Sequence, residues 1–339
     1  MKKLTTTATM LSIAMTTGAM AEPEKFNMAT PWPGGQIMKS ANRFADRVKL
    51  FTNGEVEIEV HVGGQLGGAL KVTDTVRNGV AEAGHTWMGY DWGVDRTTVL
   101  FAGWAGSPKT DVFGAWLTEG GGAELQAQFR DEEFDVVSIN CGLGSPEVGM
   151  VSNKKIQSLE DYKGLKLRTS GAWAEIAVGL GASTVTVPGG ETFEALERGL
   201  IDALEWGSLG TNRNAGFHDI AKYSIFPGIH QPTVIYECLF NKDAWERIGE
   251  RNQQMIAAAA EVEMYVNYTE RGHEDAEAYQ FLKENGHEFI VLDDEVLVEA
   301  ARLSAEWADK VAADNPWFAK VLESQRAYEA LWENSENYR

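Results

Sequence analysis

Short β-strand patterns alternate with amphipathic helix patterns along most of this chain of 339 residues. The clearest strand is 55–62, where Val56, Ile58 and Val60 alternate with charged side chains, and it follows a helix pattern that ends near Asn53. Because parallel strands need crossover connections, usually helices, this alternation predicts largely parallel sheets covered on both faces. The length is sufficient for about two domains.

A second strand and helix succession begins near Val148 and predicts a second α/β lobe. It is followed by a buried strand at 233–240 that carries a single acid, Glu237, and by a proline-free helical stretch from 244 to 284. Two more helix patterns, 294–313 and 317–334, complete the chain. We expect two α/β lobes joined by a long spine helix, with a cleft between them that suits a small ligand.

The first residues have the pattern of a secretory signal peptide. Lys2 and Lys3 precede an acid-free stretch of mostly small and apolar residues from 8 to 20, with alanines at positions 19 and 21. A membrane anchor would need about 20 strongly apolar residues, and this segment is too short and too rich in threonine. The pattern predicts a cleaved signal peptide at 1–21 and an exported chain.

The charge balance excludes some partners. The chain has 30 basic and 50 acidic residues, for a net charge of −20, which argues against nucleic acid or an anionic membrane as a partner. In an oxidising compartment its two cysteines, Cys141 and Cys238, could form a disulfide. The alternative is two small buried thiols, and the sequence leaves both open.

Sequence signatures of catalysis are missing. There is no dinucleotide-binding glycine motif, phosphate-binding loop, nucleophile elbow or His-Glu-x-x-His pair, and the six histidines do not occur at metal-ligand spacing. We therefore predict a binding protein and not an enzyme. A secreted lyase or hydrolase that uses Glu205 or Glu237 as general base is the alternative of another class.

Polar side chains stand where predicted strands end, which is the usual ligand position in α/β lobes. Arg168 closes the strand at 163–169, and its guanidinium can bind a carboxylate bidentately, although an ion pair between strands is the alternative. Glu205 ends the short strand at 202–205, and Trp206 comes directly after it. These residues predict a site for an organic anion.

Further acids and amides accompany them: Glu147 in a glycine-rich turn, Gln231 in the segment 228–232, and Glu237 in the next strand. One arginine that faces several carboxylates cannot bind an anionic ligand by charge alone, since the carboxylates repel the ligand. A bound cation between the acids and the ligand resolves this conflict, and hard oxygen ligands favour Na⁺ or Ca²⁺.

Four large aromatic residues cluster after the predicted strand at 81–85: Trp87, Tyr90, Trp92 and Trp104. Stacking on a small planar ligand explains one or two of them, and the others are expected in the core of the lobe.

In these segments the chain resembles the periplasmic solute-binding proteins of tripartite ATP-independent (TRAP) transporters, the DctP family. The likeness is greatest to the branch that binds 2-oxo and 2-hydroxy monocarboxylates together with a metal ion. It extends over nearly the whole predicted mature chain and rests on the order and spacing of Trp32-Pro33, 44–48, 79–85, 140–142, 163–168, 202–206 and 227–230.

The resemblance assigns roles to residues. Arg168 is expected to bind the substrate carboxylate, Glu205 and the backbone carbonyl of Trp206 to hold the metal ion, and Tyr90 to face the ligand. We also place Trp206, Glu147 and Trp92 among the substrate-binding residues.

Two positions depart from the family pattern in a compensating way. Relatives carry glutamine at the position of Glu147 and an acid at that of Gln231, so the number of carboxylates around the ion is conserved. We therefore expect Glu147, Glu205 and Gln231 to ligate the metal, with Glu237 nearby or substituting. Gly89 replaces a bulkier residue, and the stretch 104–109 lacks the usual turn, which leaves the size of the ligand open.

The resemblance further implies the two-lobed periplasmic binding protein fold, an α/β class with mixed sheets. Lobe I would comprise 22–146 plus 233–270, and lobe II 147–232 plus 271–339. The protein would capture its acid in the periplasm by lobe closure and deliver it to the TRAP membrane permease subunits. A metal-free receptor for a dicarboxylate or aromatic carboxylate is the alternative within this class.

A homodimer is also implied, through exchange of the C-terminal helix. Phe318, Val321, Leu322 and Leu331 stand where such packing could use them. The alternative is an ordinary helix packed on its own lobe.

Overall fold

Two mixed β-sheets organise residues 22–335, the part of the chain that the computed structural model describes. The predicted signal peptide lies outside these residues. The strands are β1 (Glu24–Ala29), β2 (Val56–His61), β3 (Ala83–Thr86), β4 (Val137–Gly144), β5 (Met150–Ser152), β6 (Lys166–Arg168), β7 (Ser183–Val185), β8 (Ala203–Leu204), β9 (Tyr223–Phe226), β10 (Val234–Phe240) and β11 (Glu288–Val291).

Helices cover both sheets. They are α1 (Gly35–Phe51), α2 (Val72–Arg77), α3 (Thr98–Ala102), α4 (Thr110–Glu119), α5 (Gly122–Phe134), α6 (Leu159–Tyr162), α7 (Trp173–Gly179), α8 (Gly189–Glu197), α9 (Leu209–Asn214), α10 (Lys242–Arg247), α11 (Gly249–Glu284), α12 (Asp294–Asp314) and α13 (Pro316–Glu333), with 3₁₀ turns at Met88–Asp91 and Phe217–Asp219. No helix within the described residues is both long and apolar enough to span a membrane.

The first sheet has the strand order β2-β1-β3-β10-β4. β1, β2 and β3 are parallel to one another, whereas β10 runs antiparallel to both β3 and β4. In the second sheet, ordered β11-β9-β5-β8-β6-β7, it is β5 that runs antiparallel to its neighbours β8 and β9. The two-lobed α/β fold with mixed sheets is confirmed, and each sheet is less parallel than the strand and helix alternation predicts.

Two of the connections between the sheets, residues 145–149 and 227–233, lie side by side and are called the crossing segments below. The backbone N–H of Glu147 donates to the carbonyl oxygen of Gln231 at 3.1 Å. A Cβ atom on Gly228 would lie 2.0 Å from the carbonyl oxygen of Glu147, so this approach requires glycine at 228. The contact holds residues 145–149 and 227–233 against each other where the chain leaves one sheet for the other.

The predicted spine helix is confirmed as α11, and it spans both lobes. Its Ile256 and Ala259 are buried against the first sheet, and its Ala278 and Leu282 are buried against the second. The prediction started this helix at 244, but Gly249, in the left-handed region with φ of 72°, separates it from α10.

Three consecutive glycines at 120–122 divide the helical part of the first lobe. They separate α4 from α5, since glycine is a poor helix former. Helix α5 continues to Phe134, and strand β4 begins at Val137.

The C-terminal helices pack on different lobes. Trp307 of α12 donates to the Glu175 carboxylate of α7 at 2.7 Å, whereas Gln325 of α13 donates to the Leu100 carbonyl oxygen of α3 at 2.6 Å. Lobe II was predicted to include all residues from 271 onward, and α13 of that range packs on helices of the first lobe. The buried side chains of α13 named for a dimer, Phe318, Val321 and Leu322, pack into the core of their own chain.

Cys141 on β4 and Cys238 on β10 form a disulfide, with their Cα atoms 5.7 Å apart. The bond joins the edge strand β4 to its antiparallel neighbour β10 in the first sheet, and both cysteines are fully buried. Of the two alternatives that the sequence leaves open, the structure has the disulfide.

Replacing both cysteines with alanine is expected to lower the free energy of unfolding by about 2–4 kcal/mol, since the disulfide closes a long loop in the unfolded chain. The bridged residues are 97 positions apart. Urea unfolding of the purified mature protein measures the difference, with the reduced wild type as control. Equal unfolding midpoints for the oxidised wild type and the variant would contradict this expectation.

Candidate functional site

A cavity lies between the two sheets, at the ends of β1, β3, β6 and β8 and beside the crossing segments. Its empty space is about 530 Å³, including the mouth that opens to solvent. The residues that line it are Trp32, Ile37, Trp87, Tyr90, Gly103, Trp104, Glu147, Arg168, Ser170, Ala172, Trp173, Glu205, Trp206, His230, Gln231, Val234 and Tyr236.

Arg168 ends β6 at the cavity and is only 2% exposed. Its Nε and Nη2 donate to the carbonyl oxygen of Val187, at 3.3 and 3.1 Å. Its Nη1 donates to the backbone carbonyl oxygen of Glu205 at 2.8 Å and to the carboxylate Oε1 of the same residue at 3.3 Å. These bonds use four of the five N–H groups, so one N–H of Nη2 is available at the cavity wall.

Two carboxylates and one imidazole converge opposite this guanidinium. Nε2 of His230 lies 3.2 Å from Oε2 of Glu147 and 3.7 Å from Oε2 of Glu205. One ligand atom from each of the three residues lies within 4.8 Å of the other two. All three side chains are nearly buried, so their charges must be balanced by one another or by a bound ion.

The electrostatics of these groups follow from that proximity. Burial alone lowers the pKa of His230, but hydrogen bonds to the carboxylates of Glu147 and Glu205 outweigh it and raise the pKa to about 9. Burial works to raise the pKa of Glu205, yet the hydrogen bond from His230 and the charge of Arg168 hold it below its usual range. Burial also raises the pKa of Tyr90, so its hydroxyl stays protonated.

The amide of Gln231 has a fixed orientation in the cavity wall. Its Nε2 donates to the carbonyl oxygens of Ala102 and Thr233, at 2.9 and 2.7 Å. Because both acceptors demand the NH₂ group, the amide oxygen is directed elsewhere. A carboxylate at this position would face two carbonyl oxygens, which gives a local reason for an amide here.

A cation fits this set of donors. Glu147 and Glu205 offer carboxylate oxygens and Gln231 offers an amide oxygen, whereas His230, with its raised pKa, is a hydrogen-bond donor to the two carboxylates. Oxygen ligands of this kind suit Na⁺ or Ca²⁺.

Aromatic side chains form much of the remaining wall. The Arg168 guanidinium lies 5.5 Å from the centre of the Trp206 ring, and Tyr90 meets Trp87 edge-on with ring centres 5.2 Å apart. Trp32 donates its Nε1–H to Nδ1 of His85 at 2.9 Å. These contacts fix the rings before any ligand binds.

The structure brings most of the predicted site residues together. Arg168, Tyr90, Trp206, Glu147, Glu205 and Gln231 all line the cavity.

Two of the predicted site residues, Glu237 and Trp92, do not line the cavity. Glu237 lies inside the first lobe, where Arg130 binds both oxygens of its carboxylate and Ser138 donates to it at 2.8 Å. Trp92 lies outside the cavity lining, with the Arg96 guanidinium 5.7 Å from its ring centre.

Several residues of the lining had no role predicted from the sequence, among them Trp32, His230 and Tyr236. His230 stands two residues after Gly228. Its neighbour Gln231 was predicted as a metal ligand instead, because Na⁺ and Ca²⁺ prefer oxygen ligands. Tyr236 and Trp32 were assigned no role, because neither occurs in a polar segment. Tyr236 and Glu237 are neighbours on β10, so their side chains point to opposite faces of the sheet. Tyr236 lines the cavity, and Glu237 lies in the lobe interior.

A cleft between two hinged α/β lobes, with an arginine and an acid cluster facing each other, defines the class of extracytoplasmic solute-binding proteins. Residues 28–315 match the DctP family, the bacterial extracellular solute-binding proteins of family 7. The chain belongs to this family and is the solute-binding receptor of a TRAP transporter. It is therefore a transport receptor and not an enzyme.

Similar proteins include the monocarboxylate 2-oxoacid-binding periplasmic protein of Nostoc sp., which is 29% identical over 90% of this chain and 84% of that protein. A TRAP solute-binding protein of Pseudoalteromonas atlantica with bound sodium and pyruvate is 27% identical and superposes with a TM-score of 0.87, covering 93% of this chain and 97% of that one. An apo open structure from Rhodobacter sphaeroides is 25% identical, with a TM-score of 0.65 over 90% of this chain and 97% of that one.

The pKa of His85 makes stability depend on pH. Full burial lowers this pKa to about 4, so the folded protein keeps the ring neutral, whereas the unfolded chain binds the proton below about pH 6.5. The contribution is present above pH 6.5 and is lost as the pH falls towards 4. We expect the melting temperature of the wild type to fall more steeply over this range than that of His85→Gln. Parallel melting curves would contradict this assignment.

Proposed function

We propose that this receptor binds a short 2-oxo or 2-hydroxy monocarboxylate together with a sodium or calcium ion. The observation that carries the proposal is the placement of Arg168 in the same cavity as the cluster of Glu147, Glu205 and His230. The Nostoc relative is named for 2-oxoacids, and the Pseudoalteromonas structure holds sodium and pyruvate.

Charge supports the presence of an ion. A monocarboxylate that enters the cavity brings a negative charge close to Glu147 and Glu205, both of which are nearly buried. Repulsion in such a site is poorly screened by water. A cation held by Glu147, Glu205 and Gln231 would supply the positive charge to which the ligand carboxylate and its 2-oxygen bind.

Arg168 is prepared to take the carboxylate. Its bond to Oε1 of Glu205 is long, at 3.3 Å, and one N–H of Nη2 is available beside it. A ligand carboxylate that replaces Oε1 gains two parallel N–H donors and releases Glu205 towards the ion. The bonds to Val187 and to the Glu205 carbonyl oxygen hold the guanidinium plane during this exchange.

Lobe closure follows from the division of these groups. Arg168 and Glu205 belong to the second sheet, whereas Trp87 and Tyr90 follow β3 of the first, so a ligand that touches both favours the closed state. The higher TM-score to the pyruvate-bound relative than to the open one supports a closed arrangement here. We propose bending at residues 145–149 and 227–233, between lobes built on the two sheets.

Export, delivery and assembly complete the proposal. We infer a cleaved signal peptide at 1–21, a periplasmic location, and delivery of the acid to the TRAP permease subunits in the membrane. The homodimer stays a prediction. Of the C-terminal residues named for it, Leu331 is exposed and could contact a second copy.

A metal-free receptor for a dicarboxylate or aromatic carboxylate is the second candidate, and the aromatic walls of the cavity favour it. Metal analysis after mild chelation separates the two candidates, because the second predicts ligand binding that a chelator does not change.

Pyruvate should raise the melting temperature in the presence of calcium or sodium, and propionate should do so much less. Propionate lacks the 2-oxygen that would bind the ion, and losing such a contact costs about 1 kcal/mol or more, roughly five- to ten-fold in affinity. Thermal shift and calorimetry with and without a chelator measure this. Equal affinity for the two acids, or affinity indifferent to chelation, would contradict the metal-bound mode.

Glu205→Gln and Glu147→Gln should each weaken metal binding at least roughly ten-fold, as loss of a ligand charge predicts. Glu237→Gln serves as the matched control, because its carboxylate is paired with Arg130 inside the lobe. This control should lose about 3 kcal/mol of stability through a broken buried pair while retaining metal and pyruvate affinity. A Glu147→Gln variant with unchanged metal content and ligand affinity would refute the compensating exchange with Gln231.

A further inference from the structure

The indole of Trp87 is fixed in the cavity wall by its polar edge and by its tip. Its Nε1–H donates to the carbonyl oxygen of Ala102 at 3.0 Å. Its Cη2 would lie 2.2 Å from a Cβ atom on Gly89 and 2.8 Å from one on Gly171. Tyr90 packs against the ring edge-on. The six-membered end of the indole therefore fits in a notch that only two glycines leave open.

The two glycines differ in why they are needed. Gly171 has φ of 65°, a left-handed conformation that favours glycine whatever the neighbour. Gly89 has no positive φ, so the close approach of the Trp87 ring is what excludes a side chain there. Gly171 also stands three residues after Arg168, on the other side of the cleft, so the indole reaches across the cavity to the segment that carries the arginine.

The lining of the cavity contains a set of polar groups and a set of aromatic ones. Arg168, Glu147, Glu205, His230 and Gln231 account for its charged and amide groups. An acid whose carboxylate and 2-oxygen occupy these polar groups has only the rest of the lining for its carbon chain. That lining is mostly aromatic and includes Trp87.

The cavity is narrow throughout. The centre of a water molecule can reach about 30 Å³ of it, which is room for two or three waters, since one needs about 10–15 Å³ by this measure. Every methylene group added to a bound acid therefore presses on the wall. Trp87 is anchored on two sides and cannot yield without losing its hydrogen bond and its packing on the glycines.

We propose that Trp87, seated between Gly89 and Gly171, is the specificity-determining residue that limits the ligand to 2-oxo acids of about three or four carbon atoms. This inference rests on the proposed function and adds to it the length of the substrate.

The test compares dissociation constants for pyruvate and for 2-oxopentanoate, measured by calorimetry in calcium-containing buffer. In the wild type we expect pyruvate to bind at least roughly ten-fold more tightly, since one or two methylene groups without space cost that much. Trp87→Ala should reduce this ratio at least roughly ten-fold, and Trp87→Phe should reduce it by a smaller factor. Trp92→Ala, a tryptophan of the same loop outside the cavity, should leave the ratio unchanged.

The outcomes distinguish failure of the length limit from failure of the proposed function. If the wild type binds pyruvate but Trp87→Ala and Trp87→Phe keep its ratio, Trp87 does not set the length, while the proposed function stands. Equal wild-type affinity for both acids has the same meaning. If the wild type binds neither acid, the proposed function fails, and the length limit fails with it.

Gly89→Ala provides an independent check on the notch. Its new methyl group would overlap the indole, so the ring must turn away from Gly171 and into the cavity. We expect at least roughly ten-fold weaker pyruvate binding in this variant with an unchanged far-ultraviolet spectrum. Unchanged pyruvate affinity would show that the ring does not depend on the glycine and would overturn the inference.

Discussion

The site depends on the mutual compensation of ionisable groups at a junction between two lobes. Arg168, Glu147, Glu205 and His230 are all nearly buried, and none of them can stay charged in such surroundings without a partner. The structure solves this by bonding Arg168 to Glu205 and placing His230 between the two carboxylates. The same proximity creates the place where a cation and an organic anion can enter together.

Two strands of the second sheet and the two crossing segments hold these groups. Arg168 and Glu205 end neighbouring parallel strands, whereas Glu147 and His230 belong to the two crossing segments that touch at Gly228. A binding residue in a crossing segment moves when the lobes move. The acid cluster is therefore divided between a rigid sheet and the part of the chain where bending is proposed, and a ligand that tightens it also closes the cleft.

Residues with a local signature were predictable, and residues that depend on long-range contacts were not. Arg168 and Glu205 were found because each ends a recognisable strand, and α11 was found because its helical pattern is long and free of proline. Glu237 was predicted near the ion because a strand pattern does not tell which face of the strand points to the cavity and which to the lobe interior. Its partner Arg130 is distant in sequence. β1 was not predicted, although it has six residues like β2, because only Phe26 and Met28 form its apolar alternation, whereas β2 has Val56, Ile58 and Val60. His230 was missed as a ligand-cluster member because its role depends on two acids from other segments.

The disulfide between Cys141 and Cys238 lies on β4 and β10, the two strands from which the crossing segments depart. Because the bond prevents these strands from sliding along each other, the two crossing segments leave the first sheet from points whose separation is fixed. Reduction would leave that separation to the β-ladder alone. Under the bending proposed for the crossing segments, the oxidised first lobe would then turn as one piece.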